Sequence, residues 1–178
     1  MKQFVKKMTK TNMQNGQGLV EFAWSLPMFL LLIVAVMEIG WATYFYSAVF
    51  TASREGSRYA SGSGYVNSST HYYQDCDGIR ARAIGKGVGI NLVKTDITIF
   101  YDSPNDNVTA TEYCQSTKSV DTSVTLALGN RVIVKVKKTF NFAIPIINQA
   151  AIPITAISYR TIITGVDVSS ALSATSTY

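Results

Sequence analysis

Gly16-Gln17-Gly18-Leu19-Val20-Glu21-Phe22 opens an apolar run that continues through Ser25-Leu26-Pro27-Met28-Phe29-Leu30-Leu31-Leu32-Ile33-Val34-Ala35-Val36-Met37, meets one acid at Glu38 and carries on to Phe50. Between Phe22 and Ser53 the only charged side chain is Glu38. As a helix rising about 1.5 Å per residue, the run exceeds the roughly 30 Å hydrocarbon core of a bilayer, so it reads as a membrane anchor with helix to spare. Lys2, Lys6, Lys7 and Lys10 precede it without an acid. The positive-inside bias therefore predicts an N-terminus in the cytosol and a C-terminal part outside. A secretory signal peptide has a shorter apolar region, about 7 to 15 residues, and Ser47-Ala48 lies too far along the run to be its cleavage site.

Glu21 needs a reason, because a carboxylate on an apolar helix is costly in lipid and marks function by default. A basic leader, Gly16, a glutamate as the fifth residue after it and an apolar helix together resemble the prepilin processing site of type IV pilins and pseudopilins. The resemblance implies that a prepilin peptidase cuts between Gly16 and Gln17, leaving the helix on the mature protein. A cut after Gly18 would leave Glu21 only third, and the spacing favours Gly16. Gly16 to Ala23, Pro27, Glu38 and the stretch Ala52-Ser53-Arg54-Glu55-Gly56-Ser57-Arg58-Tyr59-Ala60 are similar to the TadE-like family of tight-adherence (Tad) pilus proteins. Pro153 to Thr161, with Ile157-Ser158-Tyr159-Arg160, resembles that family's closing strand.

This resemblance implies a minor pilin or pseudopilin, with adherence as the expected role. Its implied partners are the prepilin peptidase, other pilin or pseudopilin subunits and the pilus assembly platform, besides the lipid bilayer. The implied location is the cytoplasmic membrane, crossed once, with passage into the pilus. For Glu21 the implied assembly role is pairing with a neighbouring subunit's N-terminal amine. Glu38, about 28 Å along the helix from Leu19, reads either as a headgroup-layer carboxylate or as a second pairing acid buried in a helix bundle. Trp41, Tyr44, Phe45 and Tyr46 follow it as an interfacial aromatic belt would.

Composition narrows the alternatives. Of the formal charge of +5, the leader supplies four lysines; without residues 1–16 the chain holds 12 basic and 11 acidic residues, net +1. A basic pI therefore gives no support to nucleic acid as a partner, and Arg80, Arg82 and Lys86 read as a solvated helix face. The two cysteines, Cys76 and Cys114, both follow the anchor. Outside the cytosol such a pair is expected to be oxidised to a disulfide. No metal is expected, since His71 is the only histidine and further Cys/His ligands are lacking. Gly85-Lys86-Gly87 lacks the following Ser/Thr of a phosphate loop. Gly-x-Ser-x-Gly and His-Glu-x-x-His are absent, so neither an enzyme, a cofactor nor a small-molecule substrate is expected.

The chain divides by composition. Residues 1–16 are the leader, and 17–60 form the helix, which should run from about Leu19 to Ala60 with a kink at Pro27. Ala48, Ala52, Gly56 and Ala60 recur every four residues as a packing strip where backbones approach closely, for docking either on the chain's own domain or on other subunits. Residues 61–94 read as a polar loop and a short helix over about Asp77 to Leu92, weakened by Gly85, Gly87 and Gly89. Residues 95–165 alternate with period two, as half-buried strands do. Ile97, Ile99 and Tyr101 mark one strand. Val120 to Leu128 and Val132 to Val136 read as a hairpin through Gly129-Asn130-Arg131, with Phe140 and Phe142 extending its buried face. Ala143 to Pro153 reads as a loop or helical turn, Ile154 to Ile163 as the last strand, and 166–178 as a frayed tail. The fold expected is α+β: a long N-terminal transmembrane helix followed by a small domain with an antiparallel sheet of about four strands. The competing expectation is a single-pass anchored extracytoplasmic binding module that never enters a filament.

Overall fold

A computed structural model describes residues 14–103, 111–114, 118–123, 126, 129–142 and 151–163. The expected leader up to residue 13, the turn at 104–106, the connector 143–150 and the tail lie outside them. Helix α1 spans Gln14–Ala60 with Pro27 inside it. It begins before the expected Leu19, so Gly16 and Gln17 are already helical. The chain forms two compact units, Met1–Ala42 and Thr43–Tyr178.

In the first unit, Leu30, Leu31, Leu32 and Ile33 are all at least half exposed. Four consecutive residues cover a full turn, so this part of α1 is apolar all round, as a membrane span is. The helix continues through Pro27, whose ring removes one backbone donor. Ser25 Oγ donates to the carbonyl of Phe22, 3.1 Å away.

The second unit holds the rest of α1 and an α+β domain. Two short strands, β1 (Tyr65–Asn67) and β2 (Thr70–His71), pair antiparallel where the sequence suggests only a polar loop. Helix α2 covers Cys76–Lys86, shorter than expected. Asp75 caps it, accepting from the Gly78 N–H at 2.9 Å. Its end comes where Gly85, Gly87 and Gly89 crowd together, since glycine gives up the most backbone freedom in a helix.

Strands β3 (Ile97–Asp102), β4 (Thr111–Glu112), β5 (Arg131–Asn141) and β6 (Ala151–Thr161) form an antiparallel sheet in the order β4-β3-β5-β6. The structure gives β5 other partners than the hairpin strand expected before it. One edge of β5 pairs with β3, from Ile97↔Val136 to Asp102↔Arg131, and the other with β6, from Arg131↔Thr161 to Asn141↔Ala151. Both edges of β5 are therefore taken, and of the first strand of the expected hairpin, residues 120–128, only 120–123 and 126 are described. The described part of that segment turns instead: the Asp121 N–H reaches the Gln74 carbonyl at 2.9 Å. The connector expectation also needs correcting, since Ala151–Pro153 belong to β6. Proline is tolerated there because β6 is an edge strand.

The alternation is sound as a burial signal. Ile97, Ile99, Tyr101, Val132, Val134, Val136 and Phe140 are buried on one face of the sheet, against Phe45, Val49 and Ala52 of α1 and Ile79 and Ala83 of α2, which are buried with them. Phe45 and Phe140 meet edge to face at 5.2 Å.

Candidate functional site

The groups the sequence singles out fall into three places. At the start of α1, Gly16, Gln17 and Glu21 are all exposed. One helical turn brings Gln17 Nε2 to within 3.3 Å of Glu21 Oε1, the i,i+4 spacing at which helix neighbours meet. Around them Leu19, Val20, Phe22 and Trp24 are exposed at 73%, 61%, 62% and 84%. Further along, Glu38 is buried, unlike Met37 and Ile39 on either side of it. Of the four residues read as an aromatic belt, Trp41, Tyr44 and Tyr46 are exposed, whereas Phe45 turns into the domain core.

The second place is the small-residue strip. Ala48, Ala52 and Ala60 are buried, and Gly56 is buried with them. A Cβ on Gly56 would lie 3.1 Å from Val134 Cγ1 and 3.4 Å from Ala83 Cβ. The strip is therefore occupied by the chain's own β5 and α2, and glycine is what lets the helix approach both.

On the neighbouring face of α1 the polar side chains converge with β6. Ser57 and Ser158 hydroxyls lie 2.9 Å apart. Thr51, Arg54, Glu55, Arg58 and Arg160 line an open groove of about 370 Å³, in which Arg58 and Glu55 are 3.7 Å apart. Three guanidiniums against one carboxylate leave the groove positive. The four-residue spacing of Arg54 and Arg58 is visible in the sequence, but only the fold brings Arg160 to them.

The third place is the disulfide, Cys76 to Cys114, with Cα atoms 5.6 Å apart and both residues fully buried. Beside it Arg80, expected on a solvated face, is wholly buried. Its guanidinium donates to the carbonyls of Cys114 and, at 3.0 Å, Lys118. Tyr101 donates to the Tyr73 carbonyl, and burial pushes its phenol well above the ordinary value. Lys94 and Ser119 hydrogen bonds hold the Asp77 carboxyl below the usual carboxylate range. For Asp121, burial raises the pKa but the hydrogen bonds from Ser123 and Lys118 outweigh it, and the net shift is downward. Tyr59, bonded to Asp75 Oδ2 at 2.7 Å, is pushed up to about 12 by burial and by that carboxylate. These groups tie loops together; among the described residues no three His, Cys, Asp or Glu side chains are placed to hold a metal ion.

The helix that carries the first two places also carries the family match, over residues 16–58, to the family described as TadE-like protein. Over these residues the chain is similar to TadE-like proteins. The match starts at the residue before the expected cut and stops two residues short of the end of α1, so the TadE-like segment is the helix itself. This similarity points toward the Tad pilus, and the helix is long and apolar enough to cross a membrane. The closing-strand likeness lies outside the matched residues, yet the fold lays that strand on the TadE-like segment through Ser57 and Ser158. Among curated proteins and solved structures, no match was found.

Proposed function

We propose that this protein is a minor pilin or pseudopilin of a Tad-type pilus machine. Prepilin peptidase cuts it between Gly16 and Gln17, and the exposed half of α1 then packs among other subunits in support of adherence. The observation that carries this reading is the exposed pair Gln17 and Glu21, one turn apart at the head of a helix that is apolar on every side. The chain crosses the cytoplasmic membrane once, its leader in the cytosol and its domain outside.

Cleavage requires the helix to open at its first turns, because a protease reads extended chain. Gly16 and Gly18 favour this, each being about 1 kcal/mol less suited to helix than alanine, and helix ends lack part of their bonding. After the cut the new amine of Gln17 and the carboxylate of Glu21 form an opposite-charge pair at the helix head, where a neighbouring subunit can exchange partners with it.

The test is to express the chain with the peptidase and sequence the mature N-terminus. The expected result is a start at Gln17, with Glu21→Ala abolishing filament incorporation while cleavage persists. An uncut chain, or normal incorporation of Glu21→Ala, overturns the reading. The arginine groove favours a second reading, an anchored binding module outside any filament, for which the Met1 to Gly16 leader persists and Glu21→Leu is tolerated.

A further inference from the structure

We propose that the segment between α2 and β3, residues 87–93, is a second membrane contact that rests in the outer headgroup layer. The proposal depends on α1 spanning the bilayer, and it names a surface of the domain that meets the lipid.

The segment is fixed to the aromatic belt. Tyr44 donates from its hydroxyl to the Val88 carbonyl at 2.7 Å. Gly89, at φ +80°, comes so close that a Cβ there would sit 3.3 Å from the same hydroxyl. Tyr44 is three residues beyond Trp41, about 4.5 Å of helix, and each headgroup layer is about 5 to 7 Å thick. A loop pinned to Tyr44 is thus at the level where tyrosine and tryptophan rings anchor membrane proteins.

Its side chains divide accordingly. Ile90 and Leu92 turn inward and are buried, and a Cβ on Gly87 would strike Leu92 at 2.2 Å. Asn91, with a positive φ of 48°, offers its carbonyl to Lys138 Nζ at 2.8 Å. Braced at these points, the segment nevertheless presents Val88 and Val93 to the outside at 66% and 50% exposure. The two outward valines give the braced segment apolar surface that a headgroup layer at that level would cover.

The charges at this end have the sign that phosphates attract. Strand β5 runs from Val134 beside Gly56 to Phe140 beside Phe45, so its last residues lie toward the belt. Lys86, Lys94, Lys137 and Lys138 flank this region, against Asp77, which holds Lys94 at 2.8 Å, and Asp96, which holds Lys138 at 2.7 Å. Lysines close to an anionic surface are drawn to it.

The experiment uses the full chain reconstituted in vesicles of phosphatidylcholine and phosphatidylglycerol. In the unsubstituted protein, quenching of Trp24 and Trp41 by acyl-chain-brominated lipid reports whether α1 is inserted at all; its absence overturns the membrane reading and this inference with it. With Trp24→Phe and Trp41→Phe in place, Val88→Trp and Val93→Trp are each introduced singly and exposed to headgroup-nitroxide lipid. Both are expected to lose emission and shift to the blue, while Tyr159→Trp, at the opposite end of the sheet, keeps its emission. If α1 is inserted but Val88→Trp and Val93→Trp are quenched no more than Tyr159→Trp, the inference is overturned and the membrane reading stands.

Discussion

Replacing both Cys76 and Cys114 by alanine tests how the domain is held closed. The bridge spans 38 residues, and the loop-closure entropy of a chain of that length is worth about 4 kcal/mol at 25 °C. That figure belongs to the unfolded chain, and Arg80, whose guanidinium clamps the Cys114 and Lys118 carbonyls in the folded protein, keeps the folded loop ordered without the bridge and so leaves it undiminished. The expected loss is about 4 kcal/mol. It is measured by pulse proteolysis across a urea series on the full chain in detergent micelles. A double-mutant cycle then separates bridge from clamp. With the bridge intact, Arg80→Met strands two buried carbonyls that cannot reach water, at about 1 to 3 kcal/mol each. Without the bridge the loop relaxes and hydrates them, so Arg80→Met costs less. Coupling of about 1 kcal/mol or more is expected for groups sharing one network. A bridge-free chain within about 0.5 kcal/mol of the parent, or an Arg80→Met effect equal in both backgrounds, refutes the account.

Two further expectations follow from the packing and the charges. Gly56→Leu drives carbon into Val134 and Ala83, which would already lie 3.1 and 3.4 Å from a bare Cβ at that position, and should lower stability by about 1 to 3 kcal/mol or more, read as a fall in Tm; Gly56→Ala recovers part of the contact penalty through its better helix propensity, about 1 kcal/mol. Tyr59→Phe removes the bond to Asp75 and should cost about 1 kcal/mol. Because the Tyr59 phenol is raised to about 12 in the folded protein against about 10 unfolded, its stabilisation is complete below pH 10 and lost as pH rises toward 12. An ultraviolet titration of the parent minus Tyr59→Phe should show that late ionisation, and a difference transition near pH 10 would contradict it.

The helix and the buried strand faces are legible because both write a local period into the sequence. Four consecutive apolar residues at Leu30 to Ile33, or Val132, Val134 and Val136 at every second place, need no knowledge of partners. The pairing is not legible. Val120 to Leu128 alternates as well as β3 does, and nothing local says that β6, later in the chain than β5, takes the edge on which a hairpin partner would have lain. Arg80 misleads for a related reason. An arginine two residues from Arg82 on a short helix looks solvated until the disulfide brings Cys114 and Lys118 over it. Within the candidate site, the spacing of Gly16, Gln17 and Glu21 is readable because it lies along one helix turn, whereas the groove of Arg54, Arg58 and Arg160 joins residues about a hundred positions apart.

The half of α1 within the first unit and the half within the second solve opposite problems. From Thr43 onward the helix spends its small residues on its own domain: Ala48, Ala52, Gly56 and Ala60 are already covered, so that strip has nothing left to offer another subunit. Before Ala42, apolar side chains point every way, and a single groove on a partner could cover only one side of them. Lipid covers all sides, and so does the middle of a helix bundle; passing from one to the other keeps apolar surface out of water throughout, so the apolar residues give little preference between the two. The preference has to come from the ionised groups. On the proposed processing, the cut at Gly16 takes away four lysines and puts one amine, ordinarily with a pKa near 8, a single turn from Glu21. A head that was strongly cationic and tied to the cytosolic face becomes a neutral pair that can follow the helix into a bundle, which is why Glu21 and the cut must act together.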